Sequence, residues 1–308
     1  MNFLTMEYFI AVAREKSITK AAVQLHITQQ TLSAHIAMVE KELGCKLLLR
    51  HVPLELTYSG QVFLQYALDI HQKYQDMKQE FCDISGNQKG VLKIGVTFAR
   101  GRALMPPLIE EFQREYPYIE IRIIEASNEL LQRHLISGDV DIAIANFPES
   151  LPGIELTPYY WEEIVLLISD FLLKQLYSTK AEEILQELAS GKLSLLSNCP
   201  FVLGIPDDIG GNVGRQILRR ENLRPPIKAQ SENIDTLLSL CVRGVGACFC
   251  PENLIKPALT EEELSRLHII RISQEEKYQI RFGALKKNYQ WSVISDFIKS
   301  AMEVPLKS

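Results

Sequence analysis

Short polar side chains gather near the start of one amphipathic helical pattern within the first sixty residues. Gln29, Gln30 and Ser33 lie on its outward face, whereas Leu32 and Ile36 lie on the inward face. Amides and hydroxyls of this kind hydrogen-bond to base edges in the major groove of DNA. The pattern indicates base recognition rather than catalysis; the alternative is that these residues only cover a solvated helix. Three flanking side chains complete the candidate contacts: Thr31, Ala34 and His35.

A second group of charged and glycine residues lies in the last two hundred residues. Residues 98–102 follow one apolar strand pattern and precede a helix, and residues 207–212 hold the same place later in the chain. Because helix N-termini attract anions, the two arginines predict an anionic effector, most simply a small carboxylate. The two aspartates favour an ammonium group instead, and simple surface charges are the remaining alternative. The candidate effector contacts are Phe98, Ala99, Arg100, Gly101, Arg102, Asp207, Asp208, Ile209 and Gly210.

Three short helical patterns position the candidate DNA contacts. The first covers about 4–14, the second starts after Ser17 and the third starts after Thr28, both good N-cap residues. Two helices joined by a short turn, the second longer and polar outside, match a helix-turn-helix. Residues 46–57 alternate weakly and predict a two-stranded wing. The candidate phosphate contacts in the wing are Arg50 and His51.

An uninterrupted helix pattern follows from about 59 to 85, and its apolar residues alternate at spacings of 4 and 3. This 3.5-residue repeat is typical of a coiled-coil seam. Because the helix separates two domains, pairing with a second copy is favoured over packing on its own core. The predicted dimerisation residues are Phe63, Ala67, Ile70, Tyr74, Met77 and Phe81, and Ile84 continues the repeat.

Two similar series of strands and helices fill the rest of the chain. Nearly continuous apolar strands indicate parallel sheets covered on both faces. Such folds bind ligands at the carboxyl ends of their strands, so we predict a cleft between two doubly wound lobes. Strands near 164–169 and 269–272 are expected to cross between the lobes. The predicted strands cover 92–97, 119–125, 140–145, 201–205, 227–231 and 246–250, and a closing helix covers 291–302.

Composition and motifs limit the classes of function. The 308 residues suit two or three domains. The net charge is −5, and residues 1–60 hold six basic against five acidic side chains, so DNA binding rests on geometry. The six cysteines form no C-x-x-C pair and are interpreted as buried thiols, with a redox or metal pair as the alternative. No cofactor is expected.

Enzyme and export signals are weak or lacking in the sequence. Gly244, Val245 and Gly246 form only half of a dinucleotide fingerprint, and no P-loop, zinc-protease or nucleophile-elbow motif is present. The N-terminus reads as a folded helix rather than a signal peptide, and no apolar stretch is long enough for a membrane span. We therefore expect a cytoplasmic protein without membrane contact, and not an enzyme.

Residues 2–66 resemble the DNA-binding domain of the LysR-type transcriptional regulators. The resemblance rests on YFIAVAREKSITKAAVQLHITQQTLSAHIAMVEKELGCKLLLR at 8–50 and LTYSG at 56–60. It continues in SNELLQRHLISGDVDIAIA at 127–145 and SLCVRGVGACFCPE at 239–252.

The resemblance implies roles for individual residues. Residues matching Gln29, Gln30, Ser33 and Ala34 touch bases in that family, and those matching Thr28 and Arg50 lie near phosphates. The effector cleft would be lined by the two loops described above together with Asn128 and Asn146. The sequence departs from the family pattern at Gln30, where proline is common, at Ala34, where arginine is frequent, and at Pro53 and Glu55 in the wing.

The predicted fold is α/β, with an N-terminal all-α winged helix-turn-helix, a long linker helix and a two-lobed doubly wound effector domain. The expected domains are 1–58, 59–88 and 89–303, with lobe I at 89–163 and 267–303 and lobe II at 164–266. The expected function is effector-controlled transcription regulation; a solute-binding protein or an enzyme is the alternative. The expected partners are double-stranded DNA with a near-palindromic promoter site, a small-molecule effector, further copies of the chain as dimer and tetramer, and RNA polymerase.

Overall fold

The structure is a computed structural model that describes residues 2–49, 51, 53–86, 89–206, 208–272, 277–287 and 289–305. The chain divides into two compact units. The N-terminal unit holds residues 1–88 with 287–291, and the C-terminal unit holds residues 89–286 with 292–308. Within the described ranges, no helix is long and apolar enough to cross a membrane.

The N-terminal unit contains the predicted helix-turn-helix, wing and linker helix. Side-chain caps set where its helices begin: Ser17 Oγ accepts from Lys20 N at 3.3 Å, and Thr57 Oγ1 accepts from Gly60 N at 2.9 Å. Each such cap contributes about 1 kcal/mol. The elements are α1 (Phe3–Glu15), α2 (Ile18–Gln24), α3 (Gln29–Leu43), β1 (Leu48–Leu49), β2 (Glu55–Leu56) and α4 (Tyr58–Ile84).

One apolar core joins these elements. Phe9 of α1 is fully buried and meets Phe63 of α4 edge-on, with 4.9 Å between ring centroids. Gly60 allows α4 to start close to the wing, because a Cβ there would lie 2.0 Å from the carbonyl oxygen of Leu47. The start of the linker helix is therefore part of the core of the helix-turn-helix domain.

The first lobe of the C-terminal unit is a mixed sheet with helices packed on it. Strand β3 pairs in parallel with β4 and β5, whereas β11 (Lys277–Leu285) pairs antiparallel with β5 and β6. The lobe I elements are β3 (Gly90–Val96), α5 (Phe98–Glu115), β4 (Ile119–Glu125), α6 (Asn128–Ser137), β5 (Ile142–Ala145) and the first part of β6 (Ile154–Ser169).

The second lobe follows from the last part of β6. Strands β7 and β8 are parallel, and a bridge from Phe201 to Ala247 joins them to the chain entering β9. The lobe II elements are α7 (Asp170–Tyr177), α8 (Ala181–Ala189), β7 (Phe201–Gly204), α9 (Ile209–Arg220), β8 (Ile227–Ser231), α10 (Ile234–Val242), β9 (Cys248–Pro251), α11 (Ile255–Ala258), α12 (Glu261–Leu264) and β10 (Leu267–Arg271). The chain then returns to lobe I through β11 (Lys277–Leu285) and α13 (Ser292–Glu303).

Strand β6 crosses from one lobe to the other without a break. Its residues 154–163 pair with β11 in lobe I, and residues 164–169 pair with β9 and β10 in lobe II. The first predicted crossing strand is therefore present as the second half of β6, whereas the strand predicted to return near 269–272 is β10, which pairs within lobe II. The predicted boundary at residue 267 needs a correction, because β10 (267–271) pairs with the lobe II part of β6 and so belongs to lobe II.

Candidate DNA-reading helix and interlobe cleft

Helix α3 presents a polar N-terminal face opposite a buried apolar one. Thr28 Oγ1 accepts from Thr31 N at 3.1 Å and thereby caps the helix. Gln29 and Gln30 are exposed, whereas Leu32 is fully buried and fixes the rotation of the helix. The residues predicted to touch bases are thus on the outside of the unit. The predicted contacts that the structure leaves exposed or half-exposed on this face are Thr28, Gln29, Gln30, Thr31, Ser33 and Ala34.

His35 is placed differently from its neighbours. Its Nδ1 lies 3.4 Å from Thr5 Oγ1 of α1, and its ring meets Tyr8 edge-on at 5.0 Å between centroids. A side chain engaged in this way orients α3 against α1. His35 stays a predicted DNA contact, and its half-exposed imidazole also packs against α1 of its own unit.

The wing is held by a buried carboxylate that the sequence analysis did not single out. Glu40 is 4% exposed, accepts from Leu47 N at 2.9 Å and from Leu48 N, and pairs with Lys46 Nζ at 2.7 Å. Burial acts to raise the pKa of Glu40, but the hydrogen bonds from Lys46 and the backbone outweigh it, and the pKa is lowered. His51 is half-exposed, with its Nδ1 2.7 Å from the carbonyl oxygen of Pro53. Arg50 lies outside the described residues.

The linker helix divides the predicted dimerisation residues into two sets. Phe63 and Ala67 are buried in the core of their own unit, which corrects their assignment to a surface between copies. The rest form an exposed apolar row, here called the linker stripe, whose members are 36–73% exposed. The linker stripe consists of Ile70, Tyr74, Met77, Phe81 and Ile84.

Arg100 is a buried charged group near the cleft. It lies in the first turn of α5 and is 4% exposed. Its Nε donates to Glu162 Oε1 at 3.0 Å and its Nη2 donates to Oε2 at 2.5 Å, while Nη1 donates to Thr97 Oγ1 at 3.0 Å. We predicted that this guanidinium would receive an anionic effector. That prediction is corrected, because the charge is already paired with Glu162.

Glu162 collects further donors from both lobes. Tyr160 donates to its Oε1 at 2.8 Å, and Asn253 Nδ2 from lobe II donates to the same oxygen at 3.1 Å. Burial acts to raise the pKa of Glu162, but Arg100 opposite it outweighs burial and the pKa is lowered. The carboxylate therefore stays ionised and ties lobe I to lobe II at the strand crossing.

A second ion pair spans the lobes nearer the surface. Arg102 Nη1 of α5 lies 2.7 Å from Asp235 Oδ2 in the first turn of α10. Both side chains are about half-exposed, so water weakens the attraction and the pair contributes little to stability. It still places both predicted arginines beside carboxylates of the protein.

The second predicted loop is part of helix α9. Asp208 is its N-cap residue, and Oδ2 accepts from Gly211 N at 3.0 Å. Burial raises the pKa of Asp208, and the backbone N–H of Gly211 opposes the rise. Ile209 is half-buried and Gly210 is buried. The helix starts at Ile209, within the 207–212 segment that the sequence places before it. Asp207 lies outside the described residues.

The other predicted cleft residues are only partly brought together. Phe98 is 64% exposed, whereas Ala99 packs on the apolar core of lobe II. Gly101 is buried beneath the carboxylate of Glu125. Asn128 Oδ1 accepts from Asn146 N at 3.2 Å, so this predicted pair is in contact.

The cysteines of lobe II are buried as predicted, whereas Cys45 and Cys82 of the N-terminal unit are only partly buried. Cys199, Cys241, Cys248 and Cys250 are buried in lobe II. Burial raises the pKa of the Cys199 thiol to about 12, which disfavours the reactive thiolate. Among the described residues, no group of three or more His, Cys, Asp and Glu could hold a metal ion.

The fold and the two sites define an effector-responsive DNA-binding regulator, and comparison with known proteins identifies its family. Residues 3–61 match the bacterial regulatory helix-turn-helix protein, lysR family, and residues 85–298 match the LysR substrate binding domain. The chain belongs to the LysR family of transcriptional regulators. This is a family of regulators rather than enzymes.

Similar proteins agree over nearly the whole chain. The chain is 29% identical to the HTH-type transcriptional regulator YcgK of Bacillus subtilis (strain 168), covering 83% of this chain and 81% of that one. It is 24% identical to the transcriptional activator IlvY of Haemophilus influenzae, covering 96% and 98%.

Solved structures show the same fold. Full-length CbnR complexed with its target DNA gives a TM-score of 0.64 at 21% identity, covering 98% of this chain and 99% of that one. Full-length OxyR from Pseudomonas aeruginosa gives 0.69 at 18% identity, covering 99% and 96%.

Proposed function

We propose that this regulator reads a near-palindromic promoter site by inserting helix α3 of two copies into successive major grooves. The observation that carries the proposal is the two-faced structure of α3. Leu32 and Ile36 are fully buried on one side, and Gln29, Gln30 and Ser33 remain accessible on the other. Glutamine amides pair bidentately with adenine, so they provide sequence discrimination that the weakly charged first sixty residues do not provide.

The linker stripe supports pairing of two copies. Five large apolar side chains in a row on one helix face form a surface that soluble monomers seldom leave open. Pairing through a 3.5-residue repeat places two recognition helices about a two-fold axis, which fits a near-palindromic site. The same arrangement raises the effective concentration of the second helix once the first is bound. The proposal extends to assembly of two dimers into a tetramer and to contact with RNA polymerase. It also places the protein in the cytoplasm, where the promoter DNA lies.

Binding of an effector in the interlobe cleft is the proposed means of controlling DNA binding. Asn253 and Asp235 of lobe II contact Glu162 and Arg102 on the lobe I side, so a molecule entering between them changes contacts on both lobes. A ligand that binds one lobe arrangement more tightly shifts the population toward it. In the proposed mechanism, this shift alters how the sensors pack and thereby the spacing of the DNA-binding domains.

A gel-shift titration tests the proposal with the full-length protein and the DNA on the 5′ side of its own gene. Gln29→Ala combined with Ser33→Ala is expected to weaken specific binding by at least about tenfold, since each good base contact contributes about 1–3 kcal/mol. Gln186→Ala, which removes an exposed glutamine of lobe II, serves as the matched control and leaves affinity unchanged. Unchanged affinity in the double variant would overturn the proposal.

A further inference from the structure

A cavity of about 450 Å³, here called the α5 cavity, lies within the C-terminal unit. None of the described residues predicted to bind the effector lines it. Its walls come from the middle of α5 in lobe I, from residues 253–257 in lobe II and from residues 304–305 after α13. Small-molecule sites in proteins commonly have volumes in this range. The lining includes Ala103, Pro106, Pro107, Asn253, Pro257 and Val304.

The walls of the α5 cavity are mainly apolar and carry no net charge among the described lining residues. Besides Asn253, the polar members are Glu110 and Lys256, which are both exposed and have opposite charges. Four of the described lining residues are prolines, which contribute rigid surface without a backbone N–H group. The cavity therefore favours a molecule with a neutral, apolar body.

A proline inside α5 leaves a backbone acceptor at this cavity. In a helix, the carbonyl oxygen of residue 103 accepts from the N–H of residue 107, but Pro107 has no N–H to donate. Ala103 and Pro107 both line the cavity, and the carbonyl of Ala103 points along the helix from the first residue toward the second. We infer that this oxygen lies at the cavity wall and lacks its helical donor.

Asn253 adds a second unsatisfied acceptor to the lining residues. Its Nδ2 donates to Glu162 Oε1 at 3.1 Å, and this contact fixes the amide orientation because the nitrogen must face the carboxylate. Its Oδ1 is buried and has no hydrogen-bond partner among the described residues. A buried acceptor without a donor costs free energy. Both unsatisfied groups thus call for a donor rather than for an anion.

We propose that the α5 cavity is a second ligand site, separate from the interlobe cleft, for a neutral, mostly apolar molecule with a hydroxyl group, such as an alkylphenol. The hydroxyl donates to the carbonyl oxygen of Ala103, which a carboxylate or an ether cannot do. The lining joins α5 of lobe I to residues 253–257 of lobe II, and Asn253 also donates to Glu162. An occupied cavity therefore stabilises one arrangement of the two lobes.

Isothermal titration calorimetry of the full-length protein tests the proposal with three probes that share one apolar body. The probes are para-ethylphenol, its methyl ether para-ethylanisole and the carboxylate para-ethylbenzoate. We expect the phenol to bind at least about tenfold more tightly than either of the others. Pro107→Ala restores the N–H that the Ala103 carbonyl lacks, so the preference for the phenol over the ether should fall below about threefold.

Ala103→Phe locates the site, because the larger side chain fills the cavity and is expected to abolish binding of the phenol. Ala189→Phe makes the same exchange at the exposed end of α8 and leaves binding unchanged. Circular dichroism shows whether each variant is folded, and if Ala103→Phe is not, the Pro107→Ala comparison decides alone. Equal binding of the three probes, tighter binding of the carboxylate, no heat with the phenol at millimolar concentration, or undiminished binding by folded Ala103→Phe would each overturn the proposal.

Discussion

Arg100 and Glu162 form a bidentate ion pair that is buried at the place where the chain crosses between the lobes. Arg100 lies in the first turn of α5 in lobe I, and Glu162 lies on β6 two residues before that strand starts to pair with β9 of lobe II. Asn253 of lobe II donates to the same carboxylate. One acidic side chain therefore connects both lobes, and several properties of the protein depend on it.

Removing the Glu162 charge is expected to destabilise the C-terminal unit. Glu162→Gln leaves the guanidinium of Arg100 buried without its counterion, which costs about 3–5 kcal/mol. Urea unfolding followed by circular dichroism measures the loss. The exposed pair Arg266–Glu262 supplies the control, because Glu262→Gln should change stability by less than about 0.5 kcal/mol. An equal unfolding midpoint for both variants would show that the buried pair has no such role.

Replacing both partners by apolar residues is expected to recover much of that loss. Arg100→Met with Glu162→Leu leaves no uncompensated charge, and such exchanges are often neutral or stabilising. The double variant should therefore unfold at higher urea than Glu162→Gln alone. A double variant less stable than the single one would contradict the charge argument and indicate that packing dominates.

Glu40 should make the N-terminal unit sensitive to acid. Its folded pKa is below the ordinary value of about 4.5, so its stabilising effect is complete above that pH and disappears as the pH falls through the lowered folded value. Glu40→Gln keeps one acceptor but loses the charge, and a cost of about 1–3 kcal/mol is expected at neutral pH. Thermal unfolding at neutral pH and at about pH 3 checks this, because the difference between the two proteins should shrink in acid. A difference that does not change with pH would exclude an ionised Glu40.

Substitutions of His35 and Gln29 should change different properties although both residues lie on α3: the first should change stability and the second DNA affinity. His35→Ala removes contacts with Tyr8 and Thr5 and is expected to cost about 1 kcal/mol of stability. Gln29→Ala changes an exposed side chain, so it should leave the unfolding temperature unaltered while weakening DNA binding. The opposite pattern, with His35→Ala affecting only affinity, would place the imidazole at the DNA.

Charged substitutions on the linker stripe should dissociate the dimer. Ile70→Glu with Met77→Glu places four carboxylates in one dimer seam and is expected to raise the dimer dissociation constant by at least about a hundredfold. Gln61→Glu with Gln75→Glu adds the same charge on the opposite face of α4 and serves as the control. Analytical ultracentrifugation over a concentration series distinguishes them. A stripe variant that sediments like the control would show that the copies pair elsewhere.

Local features account for what the sequence predicted well. Ser17 and Thr28 cap helices by hydrogen bonds within three residues, so their effect is visible in the sequence itself. The 3.5-residue repeat of α4 and the apolar strands of both lobes are likewise periodic patterns within single elements. The helix-turn-helix, the wing, the linker helix and the crossing strand all followed from such signals.

Contacts between distant parts of the chain account for the errors. Arg100 and Glu162 are 62 residues apart, and nothing near Arg100 indicates that its charge is already paired. Asn253 and Glu40 also act through partners on other elements. The one local sign was the pair of acidic residues, Glu162 and Glu163, before the apolar run 164–168 in β6. Phe63 and Ala67 fit the heptad pattern but belong to the core of their own unit. The prediction was wrong because the sequence does not show how far along α4 the contacts with the helix-turn-helix domain extend.

A DNase I footprint of the full-length protein on the DNA upstream of its own gene tests the central claim most directly. Two recognition helices held by the linker stripe should protect two half-sites whose centres lie about 10.5 base pairs, or a multiple of that, apart. At the lowest protein concentration that protects the site with the unmodified protein, protection should vanish with Gln29→Ala and Ser33→Ala together and persist with Gln186→Ala. Uniform coverage without half-sites, or protection that survives the loss of both α3 side chains, would contradict the account.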